Sequence, residues 1–206
     1  QSQRELSFPI SVADSLQQQF LAHLPFSPTG AQQRVVAEIQ QDMQQSFPMM
    51  RLVQGDVGSG KTLVAAMAAI SAIAAGYQVA LMAPTELLAE QHANNFRQWF
   101  EPLNIQVGWL AGKLKAKEKE RALTQLKGGE INMLVGTHAI FQETVEFSSL
   151  ALVIVDEQHR FGVHQRLALR EKGEAQGAFP HQLIMTATPI PRSLALAQYG
   201  DMDVSV

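Results

Sequence analysis

Short apolar runs recur along the chain, separated by longer stretches with helical spacing. The runs are "MMRLVQ" (49–54), "QVALMA" (78–83), "IQVGWL" (105–110), "INMLVG" (131–136), "LALVIV" (150–155) and "HQLIMTA" (181–187). Several lack polar alternation, which predicts strands covered on both faces of a parallel sheet. Helical patterns cover 61–75, 86–100 and 115–127, with shorter ones after 163 and 192. Gly76 and the pair Gly128-Gly129 stand where a C-terminal glycine cap belongs. This alternation predicts an α/β fold: right-handed βαβ units in one doubly wound layer, with helices on both faces of a parallel sheet. Upstream, "VADSLQQQFLAHL" spaces Leu16, Phe20 and Leu24 four apart, as on one helix face. Pro25 and Pro28 end that helix, and Thr29 can cap the next, "GAQQRVVAEIQQDMQQ". The expected organisation is an N-terminal linker and helix over 1–24, then one α/β lobe over 25–206.

Composition narrows the setting. The 206 residues suffice for one sizeable domain or at most two small ones, and 46% hydrophobic with 17% charged residues is ordinary for a globular chain. Without cysteine there is no disulfide framework and no thiolate metal site, which fits a reducing compartment. "TLVAAMAAISAIAAG" is too short and too weakly apolar to span a bilayer, and no signal-peptide pattern opens the chain. A cytoplasmic location is expected. The net charge of −3 means that any nucleic-acid contact must be local. Beginning at Gln1 and stopping at "DMDVSV", the chain reads as a segment of something longer.

"GDVGSGKT" (Gly55, Asp56, Val57, Gly58, Ser59, Gly60, Lys61, Thr62) satisfies G-x-x-x-x-G-K-[ST] between an apolar run and a helix. The glycines let successive N–H groups face a phosphate, and the helix dipole adds to the attraction. Lys61 can reach the β- and γ-phosphates, and the Thr62 hydroxyl can ligate Mg2+. ATP and Mg2+ are the cofactors expected. A nucleotide site of this kind needs a second strand ending in an acid, and "LALVIVDE" supplies Asp156 and Glu157. Asp156 is the expected metal-side residue, and Glu157 the carboxylate that activates the attacking water. Two other readings of "DEQHRFGVHQR" stand beside this one. His159 and His164 could serve zinc, although five residues apart they miss the H-E-x-x-H spacing. The acids could also simply cap the next helix.

With these pieces placed, the chain resembles the first RecA-like lobe of a superfamily 2 helicase, and more closely the RecG family of ATP-dependent translocases of branched DNA. The carriers are "LPFSPTGAQ" (24–32), "GDVGSGKT" (55–62), "APTELLAEQH" (83–92), "GTHAIFQ" (136–142), "DEQHRFGVHQR" (156–166) and "TATPIPR" (186–192). The translocase module of transcription-repair coupling factors is similar too, but Gln158 stands where that family would carry a second Glu.

The resemblance implies that Gln32 reads the adenine edge and that Phe26 lies against the ring; an ordinary N-cap role for Gln32 and a plain core role for Phe26 stay open. It implies DNA-backbone contacts at Pro84, Thr85 and Glu86, and again at Gly136, Thr137 and His138, with ordinary loop chemistry as the alternative. Gln158 and His159 would sense the γ-phosphate, and Thr186 and Thr188 would link the acid strand to the DNA side. Arg160, Phe161, His164 and Arg166 either couple DNA contact to hydrolysis or are a buried ring with solvated neighbours. "KLKAKEKERALTQLK", with six basic and two acidic residues, is either a DNA path or a solvated helix face. The implied activity is an ATP-dependent DNA helicase of recombination and repair, acting on forks and Holliday junctions in the bacterial cytoplasm at the nucleoid, as a monomer. The second helicase lobe and the wedge domain lie outside this chain, so the chain alone is expected to hydrolyse ATP poorly.

Overall fold

A computed structural model describes residues 5–54, 59–156, 163–186 and 203–205. Among these, seven strands form one parallel sheet: β1 (Met50–Gln54), β2 (Gln78–Met82), β3 (Val107–Leu110), β4 (Met133–Gly136), β5 (Leu150–Asp156), β6 (His181–Thr186) and β7 (Asp203–Ser205). Their order across the sheet is β3-β4-β2-β5-β6-β1-β7. The helices are α1 (Asp14–Ala22), α2 (Gly30–Met43), α3 (Ser59–Ala74), α4 (Glu86–Phe100), α5 (Ala116–Lys127) and α6 (Val163–Gln176).

Alternate residues of each central strand feed opposite cores, which is why the runs read as continuously apolar. Val53, Leu152, Ile154, Leu183 and Met185 join the helices α1 to α4 on one face. Leu52, Val153, Val155 and Ile184 meet α5, α6 and the short 3-10 turn His138–Phe141 on the other.

The six strands expected from apolar runs are all present. β7 is an addition, because "DVS" carries no apolar run; its pairing with β1 through Arg51↔Asp203 to Val53↔Ser205 defines it. Thr29 caps α2 with a full capping box: Gln32 N–H donates to Thr29 Oγ1, and Thr29 N–H to Gln32 Oε1. Gly76 has φ +94°, the left-handed cap conformation that closes α3.

The N-terminal segment is sewn to the lobe. Ile10 and Phe20 are buried in the same core as α3. Ser7 N–H donates to Ser46 O, Ile10 N–H to Met43 O and Phe179 N–H to Leu6 O, while the Ser7 hydroxyl donates to Phe179 O.

Candidate nucleotide and nucleic-acid site

A parallel sheet brings all strand ends of one polarity to one edge, and the register aligns them closely. Gly136 pairs with Met82, and Met82 with Val155. Asp156 pairs with Met185, and Thr186 with Gln54. The expected DNA segments, the metal-side acid, Thr186 and the strand leading to the phosphate loop therefore stand in one row. Thr186 lies on the strand between those of Gln54 and Asp156, so the two outer positions are about 10 Å apart, two strand spacings.

Ser59, Gly60, Lys61 and Thr62 form the first turn of α3, the helix that follows β1. Burial pushes the Lys61 ammonium below its ordinary pKa, and the negative charge of Asp156 opposes that shift. The two groups thus feel each other across the row. Gln32 Nε2 donates to Gly60 O at 3.3 Å, which fastens the start of α2 to the start of α3. A Cβ on Gly60 would sit 3.1 Å from that nitrogen, so a glycine suits the close approach. Phe26 is 41% exposed, so it is not a core aromatic.

The second group lies beside β2 and β4, which are neighbours in the sheet. Ala83 N–H donates to Gly136 O, joining the two loops directly. Thr85 is the N-cap of α4, its Oγ1 accepting from Leu88 N–H at 3.2 Å. Pro84 precedes it and is half-buried.

The expectation for Glu86 changes in kind. Its carboxylate accepts from Gly112 N–H at 3.2 Å, and an anion cannot donate to a phosphate. What this end of α4 offers a DNA backbone is its N–H groups and dipole. Gly136 and Thr137 are likewise buried, Thr137 at 7% exposure, leaving His138 as the exposed side chain of that trio. Gly136 has a packing reason, since an added Cβ would meet Ile140 Cγ2 at 2.5 Å and Leu110 O at 3.1 Å.

One residue escaped the sequence reading. His92, two turns into α4, has Nε2 2.6 Å from Asp156 Oδ2. The two are 64 positions apart, and only the adjacency of β2 and β5 brings them together.

Gly55, Asp56, Val57, Gly58, Glu157, Gln158, His159, Arg160, Phe161 and Thr188 lie outside the described residues. His164 and Arg166 fall in the first turns of α6. In the basic stretch, Leu126 is buried and Lys127 pairs with Glu146 at 3.3 Å, while most of the lysines are exposed. Among the described residues no helix is long and apolar enough to cross a membrane.

A family model for DEAD/DEAH box helicases matches residues 29–196. The chain belongs to the DEAD/DEAH box helicase family. Within it, this helicase lobe is 66% identical over 205 residues to the ATP-dependent DNA helicase RecG of Haemophilus influenzae, and 68% to that of Escherichia coli K12. Each match covers all of this chain but 30% of the relative, so the helicase lobe spans about a third of its curated relatives' length. A solved structure of RecG bound to a three-way DNA junction superposes with a TM-score of 0.82 at 44% identity, over 97% of this chain and 26% of that one. The helicase MrfA bound to DNA, at 16% identity and a TM-score of 0.74, shares the fold.

Proposed function

We propose that this chain is the ATP-binding motor lobe of a DNA helicase or translocase that acts on branched DNA in recombination and repair. The observation that carries the reading is the single row along the sheet's carboxyl edge: Lys61 and Thr62 at one strand's exit, Asp156 two strands away, Thr186 on the strand between. An open α/β sheet binds its ligands at this edge. The relatives support the substrate class, being named ATP-dependent DNA helicases, one of them solved on a three-way junction.

Thr62 and Asp156 are hard oxygen donors of the kind Mg2+ takes, and they fit its place between a P-loop and an acid strand. When bound, Mg2+ would neutralise charge on the β- and γ-phosphates. Lys61, partly desolvated and within the field of Asp156, turns its ammonium to the phosphates when the nucleotide arrives. Glu157 takes the proton of the attacking water, Gln158 and His159 sense the γ-phosphate, and Thr186 and Thr188 link the acid strand to the DNA side. Gln32 and Phe26 recognise the adenine. The N-terminus of α4, with Thr85, and the neighbouring His138 meet the DNA backbone.

The parent chain would supply a second lobe and a wedge domain, and would act on forks and Holliday junctions beside the nucleoid in the cytoplasm. Arginine from a facing lobe is worth ~10³–10⁵ in rate, so the lobe alone turns over slowly. The test is Mg·ATP affinity by calorimetry for the lobe and for Lys61→Ala, with phosphate release followed in the same samples. Binding that disappears with Lys61 supports the reading. Equal binding by both proteins overturns it.

A further inference from the structure

His92 has no role in the reading above, although its surroundings are built. Its Nε2–H donates to Asp156 Oδ2 at 2.6 Å, and both side chains are largely buried. A carboxylate can only accept, so the bond is charge-assisted and directional. The imidazole is backed by the Phe96 ring, 6.4 Å away between centroids. Phe96 itself, with Ala89, Ala93 and Phe100, is fully buried along the same face of α4. From its cap Thr85 to His92, α4 advances about 10 Å at 1.5 Å per residue, two turns of a packed and rigid helix.

We infer that His92 is a positioning residue that holds the metal-side carboxylate and ties it to α4, the helix whose N-terminus meets DNA in the proposed function. The inference rests on reading Asp156 as the metal-side acid. With Oδ2 held by the imidazole, Oδ1 is presented to magnesium or its water in one orientation. Removing such a supporting hydrogen bond typically costs ~10–100-fold in metal affinity. The bond also gives the two ligands a shared element. Through that helix a phosphate at the N-terminus of α4 would change the affinity for a metal at Asp156, and the metal would then change the phosphate's affinity by the same factor.

Packing alone is the rival explanation, and three variants separate it. His92→Phe keeps a ring against Phe96 without the donor. His92→Gln places an amide N–H near the position of Nε2, whereas the shorter side chain of His92→Asn cannot reach it. In the protein at its natural length, a fluorescent ATP analogue is titrated with Mg2+, with and without a three-way DNA junction, and again in EDTA. We expect the Phe and Asn variants to need ~10-fold or more Mg2+ for half-saturation. They should also lose most of the DNA-induced shift, while Gln stays near the unaltered protein and binding in EDTA is equal throughout. Phe or Asn titrating like Gln overturns the inference, as does an undiminished DNA shift in them. If Phe does not fold, Asn against Gln makes the same decision. Lys61→Ala measured alongside keeps the two readings apart. Its loss of nucleotide binding with a flat His92 series sinks only the inference, whereas unaltered binding sinks the site.

Discussion

The two edges of the sheet treat polar groups in opposite ways. At the amino edge, Gln78, His181 and Arg51 are buried and bonded to protein neighbours, while Gln182 Oε1 is buried without a partner among the described residues. Gln78 there makes four hydrogen bonds: Nε2 donates to Leu126 O and Ile131 O, both at 2.8 Å, and Oε1 accepts from Ser148 N–H at 2.7 Å and Ser149 N–H at 3.0 Å. That is the full capacity of an amide. His181 is equally complete, accepting from Met49 N–H at Nδ1 and donating from Nε2 to Phe8 O. Arg51 bridges Asp42 at 2.7 Å and Glu38 at 3.3 Å. At the carboxyl edge stand Lys61, the exposed His138 and the α4 terminus, the donors that the proposed function assigns to phosphates. One edge fastens strands and the other is where the proposed ligands would bind.

The contrast breaks most visibly at Gln78. Gln78→Leu takes the amide from the buried Ile131 carbonyl and from the Ser148 and Ser149 N–H groups, while Leu126 O keeps Gly129 N–H; a buried orphan costs ~1–3 kcal/mol. We expect a loss of roughly 3 kcal/mol or more in urea unfolding, with ATP affinity of the folded fraction unchanged. Reduced affinity at unchanged stability would erase the division between edges.

Gly136→Ala sharpens it from the other side, since Gly136 sits on the ligand edge for a packing reason. Forcing a methyl against Ile140 and the Leu110 carbonyl should cost about 1–3 kcal/mol, read as a lower denaturation midpoint. Thr85→Ala should cost ~1 kcal/mol through the lost cap. It should also weaken DNA binding in an anisotropy titration, because α4 then presents a frayed terminus.

The gentlest effect is a pH dependence. Burial holds the His181 pKa below its ordinary value, so the unfolded chain takes up the proton more readily. Its contribution is complete above the unfolded pKa of about 6.5 and is lost as pH falls through and below that value. Urea midpoints should therefore drop from pH 7 to pH 5, and His181→Gln should flatten the slope.

What the sequence made legible follows the same division. Buried parallel strands announce themselves as apolar runs, and the phosphate loop and acid strand are local signals, each read within a dozen residues. β7 was illegible because a three-residue edge strand is defined by its partner, not its pattern. The His92–Asp156 bond was illegible because a helix histidine looks solvated until β2 and β5 are known to be neighbours. At Glu86 and Gly136 the place past a strand end is visible in the sequence, whereas the Gly112 N–H bonded to Glu86 and the Ile140 methyl packed beside Gly136 are not.

The stitched segment over residues 6–10 has a mechanical consequence. A tension applied at the amino terminus enters the lobe where Ser7, Phe8 and Ile10 are bonded to Ser46, Phe179, His181 and Met43. These bonds lie across the amino edge, a full strand length from the row of ligand groups. Load taken up there is shared by several hydrogen bonds in parallel before it reaches the opposite edge of the sheet.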